Sequence, residues 1–259
     1  MKNRTILPNV YIVVLLCLFY LPIVLVILYS FNVSKISSVW DGFTLDWYKE
    51  LFQDRSMFEA LRNSLVLATL SSLSAAVIGT LGAVGMARRR MKGGKIMEYM
   101  STLPIMIPEI ILGLVFLVFF SFLGLPFGMV TLVIAHTVFC IPYVYLMVKA
   151  RLAGLDKSYV EAARDLGAGE MRAFYDITLP LMAPAIVSGM LVSFAMSFDD
   201  VIISIFVTGV NTNTLPIRIY SQIKTGVTPK TNALCTLLFL ATIFLGLISA
   251  WISRPRKKI

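Results

Sequence analysis

Six stretches of this chain, at about 10–31, 64–87, 99–123, 129–148, 185–207 and 232–252, are apolar over the length that a bilayer core requires of a crossing segment. Lipid offers no partner to backbone N–H and C=O groups, so each stretch must satisfy its own hydrogen bonds and is predicted to be a helix. A water-soluble globule is excluded: 58% of the residues are hydrophobic and only 14% charged, where an ordinary soluble domain carries about a quarter. The expectation is an all-α polytopic membrane protein with six transmembrane helices. Its 259 residues suit a single transmembrane domain over 1–259 and leave no room for a nucleotide-binding domain.

Lys2 and Arg4 ahead of the apolar run from Val10 to Phe31 have the charge order of a signal peptide. The run is long enough for a full span and no small-x-small cleavage site follows, so it reads as a retained first helix. With the N-terminus inside, 16 of the 23 basic residues fall in cytoplasmic segments and seven outside. The inside set comprises Lys2, Arg4, Arg88, Arg89, Arg90, Lys92, Lys95, Lys149, Arg151, Lys157, Arg164, Arg172, Arg254, Arg256, Lys257 and Lys258. This asymmetry predicts that both termini are cytoplasmic. It also assigns the net charge of +9 to topology and contact with anionic lipid rather than to nucleic-acid binding. Cys17, Cys140 and Cys235 all lie in apolar stretches, without the spacing of a disulfide framework or a metal site.

The second span carries Ala75, Ala76, Gly79, Gly82, Ala83 and Gly85, overlapping small-xxx-small pairs that let neighbouring helices approach closely. Trp40, Trp47 and Tyr48 fall in the first outer loop, where aromatic rings favour the boundary of lipid and water.

The longest cytoplasmic loop, 149–184, has a pattern of its own. Ser158 followed by Glu161 is an S-x-x-E capping box, which predicts a short helix from Ser158 through Ala162, Ala163 and Leu166 that stops near Gly167. A second short amphipathic turn, from Glu170 to Ile177, is predicted before Pro180. No G-x-x-x-x-G-K-[ST] occurs anywhere, and Gly93-Gly94-Lys95 lacks both the earlier glycine and the following hydroxyl residue.

Glu161-Ala162-Ala163, Gly167, Ile177 and Leu179-Pro180 together resemble, at every position, the EAA signature of ABC importer permeases. The resemblance implies the type I importer permease fold, called MetI-like. It makes the first short helix a coupling helix that docks on a separate ATPase, with Glu161, Ala162, Ala163, Arg164, Asp165 and Gly167 at the contact. No cofactor is then expected in this chain, since ATP and Mg belong to the partner. Small side chains at Ala162, Ala163 and Gly167 suit close approach, and Glu161, Arg164 and Asp165 suit a polar rim.

Three acidic residues fall within the spans: Glu109 in the third, and Asp199 and Asp200 in the fifth. An Asp at a span centre costs about 2.5–3.5 kcal/mol on insertion scales, so such groups face a cavity, pair internally or mark a pathway. The six apolar runs hold no Lys or Arg, so no basic partner is expected from within them. On straight helices Glu109 lies about 10 residues, roughly 15 Å, from the inner end, and the Asp pair about 14 residues, roughly 21 Å. One reading lines a cavity with the three carboxylates and has them replace water around a cationic cargo, with Phe198 offering an aromatic face. The other makes Glu109 a first-turn acid after Pro108 and the Asp pair a helix cap at a broken helix.

Nearly end to end, the chain also resembles the spermidine/putrescine branch of the permease family. The residues concerned are Gly42-Phe43-Thr44-Leu45-Asp46-Trp47-Tyr48, Pro108-Glu109, the loop motif with Leu166-Gly167-Ala168, Ser197-Phe198-Asp199-Asp200-Val201, and Phe206-Val207-Thr208-Gly209 continuing to Leu215-Pro216. By this resemblance Glu109, Asp199, Asp200, Ser197, Phe198 and Trp47 form the substrate pathway. The partners are a second homologous permease subunit, two ATPase copies and an extracytoplasmic polyamine-binding protein. Relatives that carry iron(III) or thiamine supply the alternative cargoes. An ion-coupled secondary transporter would fit six spans with acids but has no use for the EAA spacing. No Ser/His/Asp, Cys/His or metal constellation supports an enzyme. His136, the one histidine, reads as a hydrogen-bonded packing residue of the fourth span in preference to a proton relay.

Overall fold

The computed structural model describes residues 6–35, 39–88, 94–156 and 158–252. Of the residues that carried the orientation argument, Lys2, Arg4, Arg89, Arg90, Lys92, Lys157, Arg254, Arg256, Lys257 and Lys258 lie outside this set. Among the described residues twelve α-helices follow in chain order: α1 Ile6–Tyr29, α2 Asp46–Gln53, α3 Arg55–Arg88, α4 Gly94–Met106, α5 Glu109–Phe122, α6 Met129–Ala153, α7 Ser158–Asp165, α8 Glu170–Ala173, α9 Leu179–Asp199, α10 Ile202–Val207, α11 Leu215–Thr225 and α12 Pro229–Ile252. Four stretches are long and apolar enough to cross a membrane, at Pro8–Tyr29, Arg55–Ala87, Met129–Ala153 and Glu170–Asp199, and the bent pair α4 and α5 makes a fifth if counted as one span. The last expected span corresponds to α12, apolar over Pro229–Phe244 among the residues described for packing.

The chain divides into two compact units, one made of residues 1–58 with 219–259 and the other of residues 59–218. In the larger unit α6 is the central element, burying Leu132, Ala135, His136, Phe139, Cys140, Val144, Tyr145 and Val148. Glycine sets how closely its neighbours come. At Gly79 of α3 a Cβ would sit 3.0 Å from the Val144 side chain and 3.1 Å from the Ile141 carbonyl, and at Gly189 of α9 it would sit 2.9 Å from the Val144 Cα. Ala75, Ala76 and Ala83 are buried, whereas Gly82 and Gly85 meet nothing nearby, so only part of the small-residue stripe serves packing inside this chain.

The third and fifth apolar stretches, read as spans over 99–123 and 185–207, are both broken, as the reading of Glu109 as a first-turn acid and of the Asp pair as a cap at a broken helix requires. Between α4 and α5 the axis turns by 108°. Pro108 excludes the helical conformation at Ile107 and is itself extended, with ψ 134°, so the helix restarts at Glu109. In the fifth stretch α9 ends at Asp199, Asp200 is extended with ψ 128°, and α10 begins at Ile202. The predicted second turn of the cytoplasmic loop does not stop before Pro180 either. α8 passes through a π-helical turn at Phe174–Thr178 into α9, and the Leu179 N–H reaches back five residues to the Phe174 carbonyl. Pro180 explains the wide turn: it has no N–H, and its ring crowds the carbonyl four residues earlier.

The smaller unit holds α1, α2 and α12, with α12 packed on the other two. Its loop between α1 and α2 folds around Asn32, which is fully buried. The Asn32 amide donates to the Val39 carbonyl (2.6 Å) and its oxygen accepts the Asp41 N–H (2.9 Å). Phe31 stacks on Phe43 at 5.2 Å, and Ser30 shares a hydrogen bond with the Tyr48 hydroxyl (2.7 Å). At the entry to α3, Asp54 accepts from Lys230 of α12 (2.9 Å), which also pairs with Glu50 (3.0 Å).

Candidate functional site

Two places in the larger unit gather the residues singled out by the sequence. One is the break in the fifth span. Along α9 the positions Met182, Gly189, Ser193 and Ser197 face inward, while Val187, Leu191, Ala195 and Asp199 face outward, so adjacent residues at the helix end part company. Asp199 is exposed; Asp200 is buried. The Asp200 carboxylate accepts the N–H groups of Ile203 (3.2 Å) and Ser204 (2.8 Å), donors that the first turn of α10 cannot satisfy internally.

Asp200 does have a side-chain neighbour inside the spans, the imidazole of His136, which a count of Lys and Arg alone leaves out. His136 of α6 is completely buried, with Nε2 3.4 Å from Asp200 Oδ2 and 3.0 Å from Ser204 Oγ. Its Nδ1 is 2.8 Å from Ser197 Oγ, which in turn lies 2.9 Å from Ser71 Oγ of α3. A second polar link joins α6 to α9, since Ser193 Oγ donates to the Cys140 carbonyl (3.2 Å) and Cys140 Sγ to the Ser193 carbonyl (3.4 Å). In hydrocarbon such groups are stable only when fully paired, and here each finds its partner on another helix.

Glu109 opens α5 immediately after the 108° turn, as a first-turn acid whose charge suits the positive end of the helix. Depth arithmetic for a straight third helix therefore does not apply to it. Asp199 closes the 21 residues, about 30 Å, of α9, which starts at Leu179, six residues before the apolar stretch expected at 185. Glu109 is half-buried and within electrostatic range of Asp200 and Tyr143. Phe198 is half-buried and stacks on Phe194 at 6.0 Å. Ser197, by contrast, is closed into the His136 crossing. Trp47 belongs to the smaller unit, where its indole N–H donates to the Asn32 carbonyl (2.7 Å) and braces the folded loop.

The second place is the cytoplasmic loop. α7 starts at Ser158 as expected, but the acceptor for the Ser158 N–H is Asp156 Oδ1 (2.9 Å), so the cap comes from a residue before the presumed box. The Ser158 N–H and hydroxyl hold the exposed Asp156 carboxyl below the ordinary carboxylate range. The helix ends in a Schellman motif: Gly167 N–H donates to the Arg164 carbonyl (2.8 Å) and Ala168 N–H to the Ala163 carbonyl (3.0 Å), with Gly167 at φ +85°. Arg164 pairs with Glu170 (2.7 Å) and clips α7 to α8.

Glu161 and Ile177, distant in sequence, line one groove of about 270 Å³ together with Ala87, Leu155, Tyr159 and Leu181. α7 buries no residue of its own, and Leu166 at 90% exposure projects with Met171 and Tyr175 into open space. His136 is the buried, hydrogen-bonded residue of the fourth span that the sequence led one to expect, but its link to Asp200 and the parts played by Ser71, Ser204 and Asn32 were not anticipated. Small polar residues recurring within otherwise apolar helices are the sequence signal for Ser71 and Ser204.

Residues 75–255 match the family described as binding-protein-dependent transport system inner membrane component. Among characterised relatives, the chain is 38% identical over 252 residues to the spermidine/putrescine transport system permease protein PotC of Haemophilus influenzae, covering 97% of this chain and 98% of that one. It is 40% identical to PotC of Escherichia coli K12, covering 92% and 90%, and 41% identical to the putrescine transport system permease protein PotI of the same organism, covering 90% and 85%. Among solved structures, a bacterial ABC transporter involved in import of the acidic polysaccharide alginate superposes with a TM-score of 0.77 at 13% identity, covering 96% of this chain and 98% of that one. An inward-facing MetNI methionine ABC transporter superposes with a TM-score of 0.63 at 20% identity, covering 80% and 95%. These likenesses establish the type I importer permease fold, and the broken spans, the EAA-spaced hairpin and the near-complete relatives lead to one conclusion: the chain belongs to the inner-membrane permease family of binding-protein-dependent ABC transporters.

Proposed function

We infer that this chain is a permease subunit of an ABC importer that carries spermidine and putrescine across the inner membrane. ATP is hydrolysed on a partner ATPase, and an extracytoplasmic binding protein delivers the cargo. The observation that carries the cargo assignment is identity of 38–41% to polyamine permeases over at least 90% of the chain. The complete assembly is a pair of homologous permease subunits with two ATPases, and both termini of this chain face the cytoplasm.

Within that reading, Asp199 and Glu109 meet the ammonium groups of the cargo, with Phe198 as an aromatic face and Trp47 at the outer loop. Exposure at the end of α9 and a half-buried place at the turn into α5 support this for the two acids. Asp200 and Ser197 act behind them, holding the broken span in place. The α7 hairpin docks on the ATPase through Glu161, Ala162, Ala163, Asp165 and Gly167, with Leu166 as its apolar anchor and Arg164 keeping the hairpin closed. A pathway with carboxylates and no cationic side chain attracts a polycation at several weak sites, from which it can still leave.

The test is uptake of radiolabelled spermidine and putrescine in a strain that lacks this gene and then regains it. Restored uptake of either polyamine, reduced by Asp199→Asn, is the expected result. Restored iron(III) or thiamine uptake without polyamine uptake would overturn the cargo assignment.

A further inference from the structure

His136 has hydrogen-bonding partners on both sides of the break in the fifth span, and the hydrogens can be assigned by counting. Ser71 Oγ donates its one hydrogen to the Leu67 carbonyl (2.6 Å), so towards Ser197 it can only accept. The Ser197 hydrogen is then committed to Ser71, and Ser197 Oγ must accept from His136 Nδ1, which carries the proton. Nε2 is left facing Ser204 Oγ and Asp200 Oδ2. Ser197 lies in the last turn of α9, Ser204 in the first turn of α10, and Asp200 between them. One rigid ring on α6 therefore fixes both ends of the two-residue break, and Asp199 is the exposed residue at its edge.

We propose that His136 is a positioning residue for cargo passage. From α6 its ring holds the two half-helices in the arrangement that projects Asp199 outward while Asp200 stays turned in on the α10 cap. The inference rests on the reading of Asp199 as a cargo contact. It assigns the lone intramembrane histidine a task that is neither proton relay nor general packing. Imidazole suits the task because it offers two hydrogen-bonding atoms at fixed separation on opposite sides of a flat ring. An asparagine can reproduce the Nδ1 side and a glutamine the Nε2 side, but neither reproduces both.

The experiment measures spermidine uptake against concentration in proteoliposomes containing the full permease complex with its ATPase and supplied with binding protein. His136→Asn, His136→Gln and Ser204→Ala are each made with Asp199 intact and with Asp199→Asn. With Asp199 intact, each is expected to raise the half-saturating concentration about tenfold while the maximal rate changes less than about twofold, the scale of one lost buried hydrogen bond. In the Asp199→Asn background the same changes should add less than about twofold, because the group they position is already gone. Wild-type half-saturation in His136→Asn and Ser204→Ala overturns the proposal. So does a multiplicative effect on top of Asp199→Asn, or a loss of assembled complex that accounts for all the missing uptake in both. If the unaltered complex takes up no spermidine, the cargo reading fails and this inference with it. Normal uptake with unresponsive variants defeats the inference alone.

Discussion

The crossing around His136 and the cytoplasmic hairpin of α7 and α8 belong to the same compact unit and have opposite characters. At the crossing, side chains from α3, α6, α9 and α10 are buried, and Ser71, His136, Ser197, Asp200 and Ser204 all find partners within the chain. At the hairpin no side chain of α7 is buried, large apolar groups stand in the open, and the ion pairs Arg164–Glu170 and Arg172–Asp176 are surface contacts of the hairpin with itself. The first region is complete without a partner. The second has polar groups arranged to keep its own shape and an exposed apolar surface, which is what the proposed docking on the ATPase would use.

Substitution at the two adjacent aspartates is the strongest way to break this contrast. Asp200→Ala removes the acceptor for two buried N–H groups and the carboxylate beside His136, a loss of about 1–3 kcal/mol for each buried donor left without an acceptor. Asp199→Ala removes an exposed group and should change stability by less than about 0.5 kcal/mol. Thermal unfolding of the two purified complexes in detergent compares them directly. Equal stabilities would mean that the buried crossing contributes little to the fold.

At the hairpin the expectation is reversed. Leu166→Asp, at a residue 90% exposed, should leave unfolding of the permease unchanged yet lower cargo-stimulated ATP hydrolysis by at least about tenfold, as loss of an apolar anchor does at an interface. Glu161→Lys should act in the same direction at the groove rim. Co-purification of the ATPase reads the same loss. Wild-type coupling in both variants would remove the hairpin from the contact.

How much of this was legible in the sequence depends on whether a feature is local. The stop at Gly167 was readable because left-handed glycine is decided within a few residues, and the start at Ser158 was placed correctly although its cap comes from Asp156 and not from the predicted box. The acids in the spans were readable as anomalies because their cost in lipid does not depend on the fold. The breaks at Ile107–Pro108 and Asp200–Val201 were legible only through the span acids and Pro108, as one of two readings, since hydropathy averages over a window and is blind to one or two non-helical residues. Nor could Asp199 be told from Asp200: what separates them is His136, 64 positions away from Asp200 and brought close only by the packing of α6 on α9. The sequence spacing of Glu161 and Ile177 acquired its meaning only when both were found on one groove.

A smaller effect is expected in the other unit, at the tie between α2, the entry to α3 and α12. Burial raises the Asp54 pKa, but hydrogen bonds from Ser56, Lys230 and the Met57 N–H, with the charge of Lys230, outweigh it and hold the carboxyl at about 2. Its folded value is below its unfolded one, so the tie stabilises in full above about pH 4 and is lost as pH falls towards about 2. Partial exposure limits the contribution to about 1–2 kcal/mol. Unfolding measured between pH 5 and 2.5 should decline less steeply for Asp54→Asn than for the unaltered chain. Parallel curves would show that Asp54 is not what titrates.

Least in energy, and most specific in location, is Gly167→Ala. Gly167 sits at φ +85°, where an L side chain is strained by about 1 kcal/mol, although the space around it is open. Nothing clashes, so the cost is purely one of backbone conformation, and it acts on the two hydrogen bonds that close the end of α7. A penalty of that size raises the local opening constant about fivefold. Hydrogen exchange at the Gly167 and Ala168 amides should accelerate by that factor, while amides of the buried crossing keep their rates. Gly167→Asn, which tolerates the left-handed region better, should recover part of the protection. If alanine and asparagine exchange alike, the glycine is serving close approach to the ATPase and not the geometry of the helix end. Coupling in the complex would then fall with side-chain size at this position while exchange in the free permease stays constant.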